Sequence, residues 1–132
     1  MLEENKIVDQ AQQVMEILSR QKNMVTTSQI RKFLTAVNTV TEKVNAYKLE
    51  KTDDYDTLPV ELQAQIKYLK VKLAYQIGRN RSKWGNPVED FEKEARLMSL
   101  IDGIKSSTKE YEKFAHYIEA LVAFHKFYGG KD

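Results

Sequence analysis

The sequence predicts an all-α protein, a compact bundle of about five helices, and three observations predict it. Apolar residues recur at three- and four-residue intervals along most of the chain, no stretch alternates strictly between apolar and polar, and only five Gly and two Pro interrupt 132 residues. One hydrophobic core suffices at that length, and 42% hydrophobic residues can fill it, so a single domain over residues 1–132 is expected.

The first helix is expected over about residues 4–20, where Ile7, Ala11, Val14 and Leu18 follow one another at spacings of four, three and four. After a turn around Asn23, Thr27 or Ser28 can cap a second helix whose apolar face is Ile30, Phe33, Leu34, Val37, Val40 and Val44 and which fades near Tyr47. The run TAVNTVTEKV within it is rich in β-branched residues, and its composition also suits a strand. Residues 48–58 carry Glu50, Asp53, Asp54 and Asp56 without a periodic apolar face and are expected to form a mobile loop. Pro59 suits the first turn of helix three, Glu61 favours the positive end of its dipole, and Leu62, Ile66, Leu69, Leu73 and Ile77 form its stripe up to Gly78.

The connection over residues 80–86 leads to a strong start signal: Asn86 as cap, Pro87 at the first helical position and Glu89 in a box-like arrangement. Helix four is expected to end near Gly103. Ser107 and Glu110 form a Ser-x-x-Glu capping box that opens a last helix, with Tyr111, Phe114, Ile118, Leu121 and Val122 on its face and a stop at Gly129-Gly130.

Charge is near balance, 21 Lys plus Arg against 19 Asp plus Glu, but it is sorted by position. No acid occurs from Lys67 to Val88, where Lys67, Lys70, Lys72, Arg79 and Arg81 accompany the stripe of helix three. None occurs between Ile17 and Thr41 either, a stretch that holds Arg20, Lys22, Arg31 and Lys32. On a helical projection Tyr68, Lys72, Tyr75 and Arg79 share one flank of the stripe, and Lys67 and Lys70 lie on the other. Cations interleaved with tyrosines suit a polyanion: the cations meet phosphates while the rings stack on bases or hydrogen-bond to ribose. The alternative for the same residues is a solvated basic face with tyrosines at the edge of the core.

Catalytic and metal chemistry lack their parts, so no catalytic residue, metal or cofactor is expected. His116 and His125, nine residues apart on one helix, point to opposite faces and cannot share a ligand. The segment DDYD lacks the glycine and distal glutamate of a calcium loop, and Glu89, Asp90, Glu92 and Glu94 compensate a helix dipole. A phosphate loop, a nucleophile elbow and a His-Glu-x-x-His motif are all missing. With no Cys, acids in place of a basic leader and no apolar run of membrane-spanning length, a soluble protein of a reducing cytoplasm, without a membrane partner, is expected.

Three segments, TTSQIRKFL, IKYLKVKLAYQIGR and YIEALVAFHKFYGGKD, resemble in order and spacing the small subunit of type III-A CRISPR interference complexes, the Csm complexes. The resemblance covers almost the whole chain, and the tail is its most specific part; residues before Ile7 and the acidic segment 48–58 lie outside it. It implies a non-catalytic, RNA-binding subunit of a prokaryotic, cytoplasmic antiviral ribonucleoprotein. Several copies would stack on one another along the backbone subunits of the Csm complex and contact guide and target RNA. The positions onto which RNA contact carries over are Arg31, Lys32, Lys67, Lys70, Lys72, Arg79 and Arg81. Phe124, Phe127 and Tyr128 of the tail would serve packing, part of it against a neighbour. Two other readings remain: a helix-turn-helix DNA-binding regulator and a purely structural adaptor with solvated lysines.

Overall fold

The computed structural model describes residues 2–50 and 56–131, which form a 3-10 turn (Glu4–Lys6) and six α-helices. These are α1 (Ile7–Ser19), α2 (Thr27–Glu50), α3 (Val60–Arg79), α4 (Pro87–Ala95), α5 (Leu97–Ile104) and α6 (Thr108–Phe127). Buried residues from all six join one hydrophobic cluster, in which Phe33, Leu73, Phe91, Leu97, Tyr111 and Phe114 are among the most enclosed.

One fewer helix was expected, and the difference lies at Arg96. Projected as a continuous helix, the stripe Val88, Phe91 and Ala95 and the stripe Leu97, Ile101 and Ile104 fall on nearly opposite faces. A left-handed backbone at Arg96 (φ 57°, ψ 42°) ends α4 and redirects α5, so that both stripes reach the core. The Glu92 carboxylate then accepts from the Met98 backbone N–H at 3.3 Å, supplying a partner at the new N-terminus.

The starts of α4 and α6 follow the capping logic, and that of α2 follows it with a shift. Pro59, expected in the first turn of α3, is instead the extended residue just before it and makes no side-chain cap. Asn86 Oδ1 accepts from Glu89 N (3.1 Å), while Asn86 Nδ2 donates to the Ile77 carbonyl (2.8 Å) and so ties the start of α4 to the end of α3. Ser107 Oγ accepts from Glu110 N (3.1 Å), but the Glu110 carboxylate is engaged by Lys113 (2.9 Å). For α2 the cap is Thr26, one residue before the expected positions. Its Oγ1 accepts from Gln29 N (3.1 Å) and its own N–H donates to Gln29 Oε1 (2.9 Å), a reciprocal box.

The run TAVNTVTEKV is helical throughout, because Val37, Val40 and Val44 keep the helical period and are buried. The segment expected to be a mobile loop needs correction at both ends. Residues 48–50 continue α2, and Leu58 is buried with its N–H bonded to the Ser106 carbonyl (2.8 Å), while Thr108 N donates to the Asp56 carbonyl (3.0 Å). Residues 51–55, including Asp53 and Asp54 of the acidic run, lie outside the described residues.

Helices α2 and α3 form an antiparallel hairpin: Lys43 Nζ donates to Gln65 Oε1 (2.9 Å) near one end, and Lys32 stands over Tyr75 near the other. Helix α6 runs parallel to α1, with Leu2 beside Lys113 and Gln12 beside Tyr128, and antiparallel to α2, with His125 beside Val25 and Tyr111 beside Thr41. The tail closes the bundle. His125 Nε2 lies 2.7 Å from the Val25 carbonyl, which can only accept, so this nitrogen carries the proton.

Gly130 packs so closely on the same ring that a Cβ would collide with the imidazole. Lys131 then offers its carbonyl to Thr27 N at 3.0 Å. The buried imidazole, held by Val25, has little room to yield. Gly130→Ala is therefore expected to cost about 1–3 kcal/mol, measured by urea unfolding, with no change at room temperature in α-helical circular dichroism.

Candidate functional site

The outward side of the α2·α3 hairpin carries a groove of about 870 Å³, and sequence and helix geometry explain its shape. From α2 it receives Arg31, Lys32, Thr35, Ala36 and Thr39; from α3 it receives Gln65, Tyr68, Val71, Lys72, Tyr75 and Gln76. The small side chains of Thr35, Ala36 and Thr39 leave the space open, and the tyrosines of α3 wall it. Leu69 and Val40 close the floor from the core side.

Two cations stand over aromatic rings here. Lys72 Nζ is 5.7 Å from the centroid of Tyr68, and Lys32 Nζ, from the facing helix, is 6.0 Å from that of Tyr75. Each ring face draws an ammonium without neutralising it, so the charges stay available to a further anion.

Of the seven basic positions, the groove gathers three: Arg31, Lys32 and Lys72. Lys67 is exposed elsewhere on α3, and Arg79 and Arg81 are exposed at the end of α3 and on the turn that follows. Lys70 is placed differently. It sits on the opposite flank, and its ammonium pairs with Asp102 of α5 at 2.8 Å, so its charge is already matched. Among the described residues, Arg31, Lys32, Lys67, Lys72, Arg79 and Arg81 make no salt bridge.

Gln65, Gln76, Thr35 and Thr39 were not anticipated as lining residues. Their signal was the flank position, since each lies beside the apolar stripe of its own helix on the side that faces the other helix. Gln76 is the most telling, a polar side chain that is only 4% exposed yet lines the groove. Trp84 was likewise not singled out, although it is 78% exposed on the turn after α3.

A second depression between α2 and α6, of about 480 Å³, is lined by Asn38, Asn45, Glu112, His116 and Glu119 and carries none of the seven cations. Among the described residues, no three His, Cys, Asp or Glu side chains gather so as to hold a metal ion. Nor is any described helix long and apolar enough to cross a membrane. The groove sets exposed cations beside ring faces, and α2 and α3, at 24 and 20 residues side by side and antiparallel, lack the crossed geometry of a helix-turn-helix pair.

The described residues thus form a small all-helical bundle whose longest hairpin presents a cationic, tyrosine-walled groove. The comparison with known families places it more narrowly. The chain belongs to the Csm2 type III-A family, whose model matches residues 2–131. It is 31% identical over 134 residues to the CRISPR system protein Csm2 of Streptococcus thermophilus, covering 99% of this chain and 98% of that protein. It is also 33% identical over 129 residues to Csm2 of Enterococcus italicus, covering 93% and 84%, and 36% identical over 76 residues to Csm2 of Mycobacterium tuberculosis, covering 58% and 57%.

Proposed function

We propose that this protein is the non-catalytic small subunit of a type III-A CRISPR complex of the prokaryotic cytoplasm. Copies of it stack beside the subunits that hold the guide, and its basic helix surfaces contact the guide–target RNA. The observation that carries this reading is the meeting of Arg31 and Lys32 from α2 with Lys72, Tyr68 and Tyr75 from α3 in one groove, none of the three cations being paired with a carboxylate. Family membership supplies the setting, since the Csm2 relatives are named as CRISPR system proteins.

The chemistry follows from the residue types. Lysine and arginine bind phosphate oxygens irrespective of base, and the glutamines and tyrosines can hydrogen-bond to ribose or present ring faces, so sequence reading is left to base pairing. Lys67, Arg79 and Arg81 extend the positive field beyond the groove, whereas Lys70 contributes less to it because its charge is offset by Asp102. A subunit that neutralises so few phosphates binds weakly alone and gains from its neighbours in an assembly.

The test is binding of a fluorescent single-stranded RNA across a salt series, comparing the natural chain with an Arg31→Glu, Lys32→Glu, Lys72→Glu variant of verified helicity. Loss of three phosphate contacts is expected to make the log–log salt slope shallower by about 2 and to remove most of the affinity at low salt. Equal affinity and slope would leave the groove without a role in RNA contact.

A further inference from the structure

Immediately after α3 the chain makes a tight turn that holds its single tryptophan, Trp84, in water. The turn is fixed by several hydrogen bonds. Ser82 Oγ donates to the Gly85 carbonyl (2.9 Å) and accepts from Trp84 N (3.1 Å), and Gly85 N donates back to the Ser82 carbonyl (3.3 Å). Gly85 has φ +115°, a conformation open to glycine and strained for other residues. Both flanks are anchored to α3: Asn80 Nδ2 donates to the Gln76 carbonyl (2.7 Å) and Asn86 Nδ2 to the Ile77 carbonyl (2.8 Å). An indole left 78% exposed on a tied-down turn is therefore displayed, because a mobile turn could have folded it against the core.

The surroundings define what would cover it. Arg79, Arg81 and Lys83 are all exposed, no acid occurs from Lys67 to Val88, and the next acids, Glu89 and Asp90, belong to the first turn of α4, where Glu89 faces Lys93. Lys83 Nζ stands 5.1 Å from the ring centroid of Trp84, so an ammonium and an aromatic face are offered together. The residues beside Trp84 in the turn, Ser82, Lys83, Gly85 and Asn86, add no apolar side chain, so the apolar element is one ring wide. A protein partner requires a broader buried patch, whereas an unpaired nucleobase is the size of an indole and brings the phosphates that three cations would hold.

We infer that the turn at residues 82–85 is a nucleobase-stacking platform for single-stranded RNA, with Trp84 as the stacking surface and Arg79, Arg81 and Lys83 holding the adjoining phosphates. This inference rests on the proposed RNA contact and adds a base-contacting element outside the groove. It predicts tolerance of base identity, because every base presents a π-face.

Because Trp84 is the chain's one tryptophan, its emission reports on this turn alone. The full chain is titrated with fluorescein-labelled oligouridylate and with a labelled abasic strand of equal length, following anisotropy and, with unlabelled strands, tryptophan emission. Saturating quenching by oligouridylate at the anisotropy midpoint, with no quenching by the bound abasic strand, is the expected result. Trp84→Ala, at an exposed position that leaves folding intact, is expected to weaken oligouridylate binding about tenfold at every salt concentration with an unchanged salt slope. An anisotropy change without quenching, or unchanged affinity in Trp84→Ala, overturns the platform and leaves RNA contact standing. No anisotropy change with either strand overturns both.

Discussion

Replacing Tyr111 by alanine is expected to cost about 3–5 kcal/mol of folding stability, as large aromatic deletions in close-packed cores do. The side chain is fully enclosed, and its ring lies 6.3 Å from that of Phe114 on the same helix. Its hydroxyl reaches α2, where it lies 2.8 Å from Thr41 Oγ1 and donates to the Val37 carbonyl at 3.1 Å. It thus holds α2 from the side opposite the groove. Tyr111→Phe separates packing from hydrogen bonding. With the phenol gone, the Thr41 hydroxyl, 2.9 Å from the Val37 carbonyl, is free to donate there, so loss of the phenol orphans no acceptor and about 1 kcal/mol is the expected cost. Urea unfolding of the two variants measures both; an alanine variant within about 1 kcal/mol of the natural chain would mean that the core repacks around the gap.

Most of the fold was legible because burial and period coincide. The expected stripes of α1, α2 and α3 reappear as buried residues, with Leu34 half-buried, since each helix has one core-facing side and sequence spacing fixes which side it is. Where legibility failed, two signals had to be read against each other. The break at Arg96 bears no glycine or proline; only the change of phase between Phe91 and Ile101 marks it. Thr26 was passed over as a cap because Thr27 and Ser28 have the same chemistry, and what distinguishes it is Gln29 three residues on.

For the site, the sequence showed which side chains are cationic but not which of them share a surface. Pairing decided that. The facing flanks of α2 and α3 bring Lys32 to Tyr75 across a gap in sequence that periodicity within one helix does not bridge, and Asp102 from α5 claims Lys70. Trp84 went unremarked because a single aromatic in a polar turn has no period; its exposure and its fixed backbone become visible only in three dimensions.

Stability should fall steeply between pH 10 and pH 12, and two buried phenols set the window. Burial pushes the Tyr111 hydroxyl up to about 12 from 10.0, against a smaller lowering by the Thr41 hydrogen bond. Burial likewise raises Tyr117 to about 12, with Arg96 lowering and Glu94 raising it to lesser extents, and its hydroxyl donates to the Ala95 carbonyl at 3.0 Å. A phenolate at either place would face a carbonyl oxygen without solvent. Unfolded, both phenols ionise near pH 10; folded, both keep their protons until about pH 12. Above pH 10 the unfolded chain therefore binds fewer protons than the folded one, and the stability that is complete below pH 10 is lost as pH rises. Each phenol contributes a loss of about 1.4 kcal/mol per pH unit, about 2.7 kcal/mol for the pair. Lys113, raised chiefly by its hydrogen bond to Glu110, acts in the same direction above its ordinary 10.5. Urea unfolding at half-unit steps from pH 9 to 11.5 should show this slope, halved in Tyr111→Phe and nearly abolished in Tyr111→Phe, Tyr117→Phe. A slope that survives in the double variant would assign alkaline unfolding to the lysines instead, through loss of ion pairs such as Lys70 with Asp102.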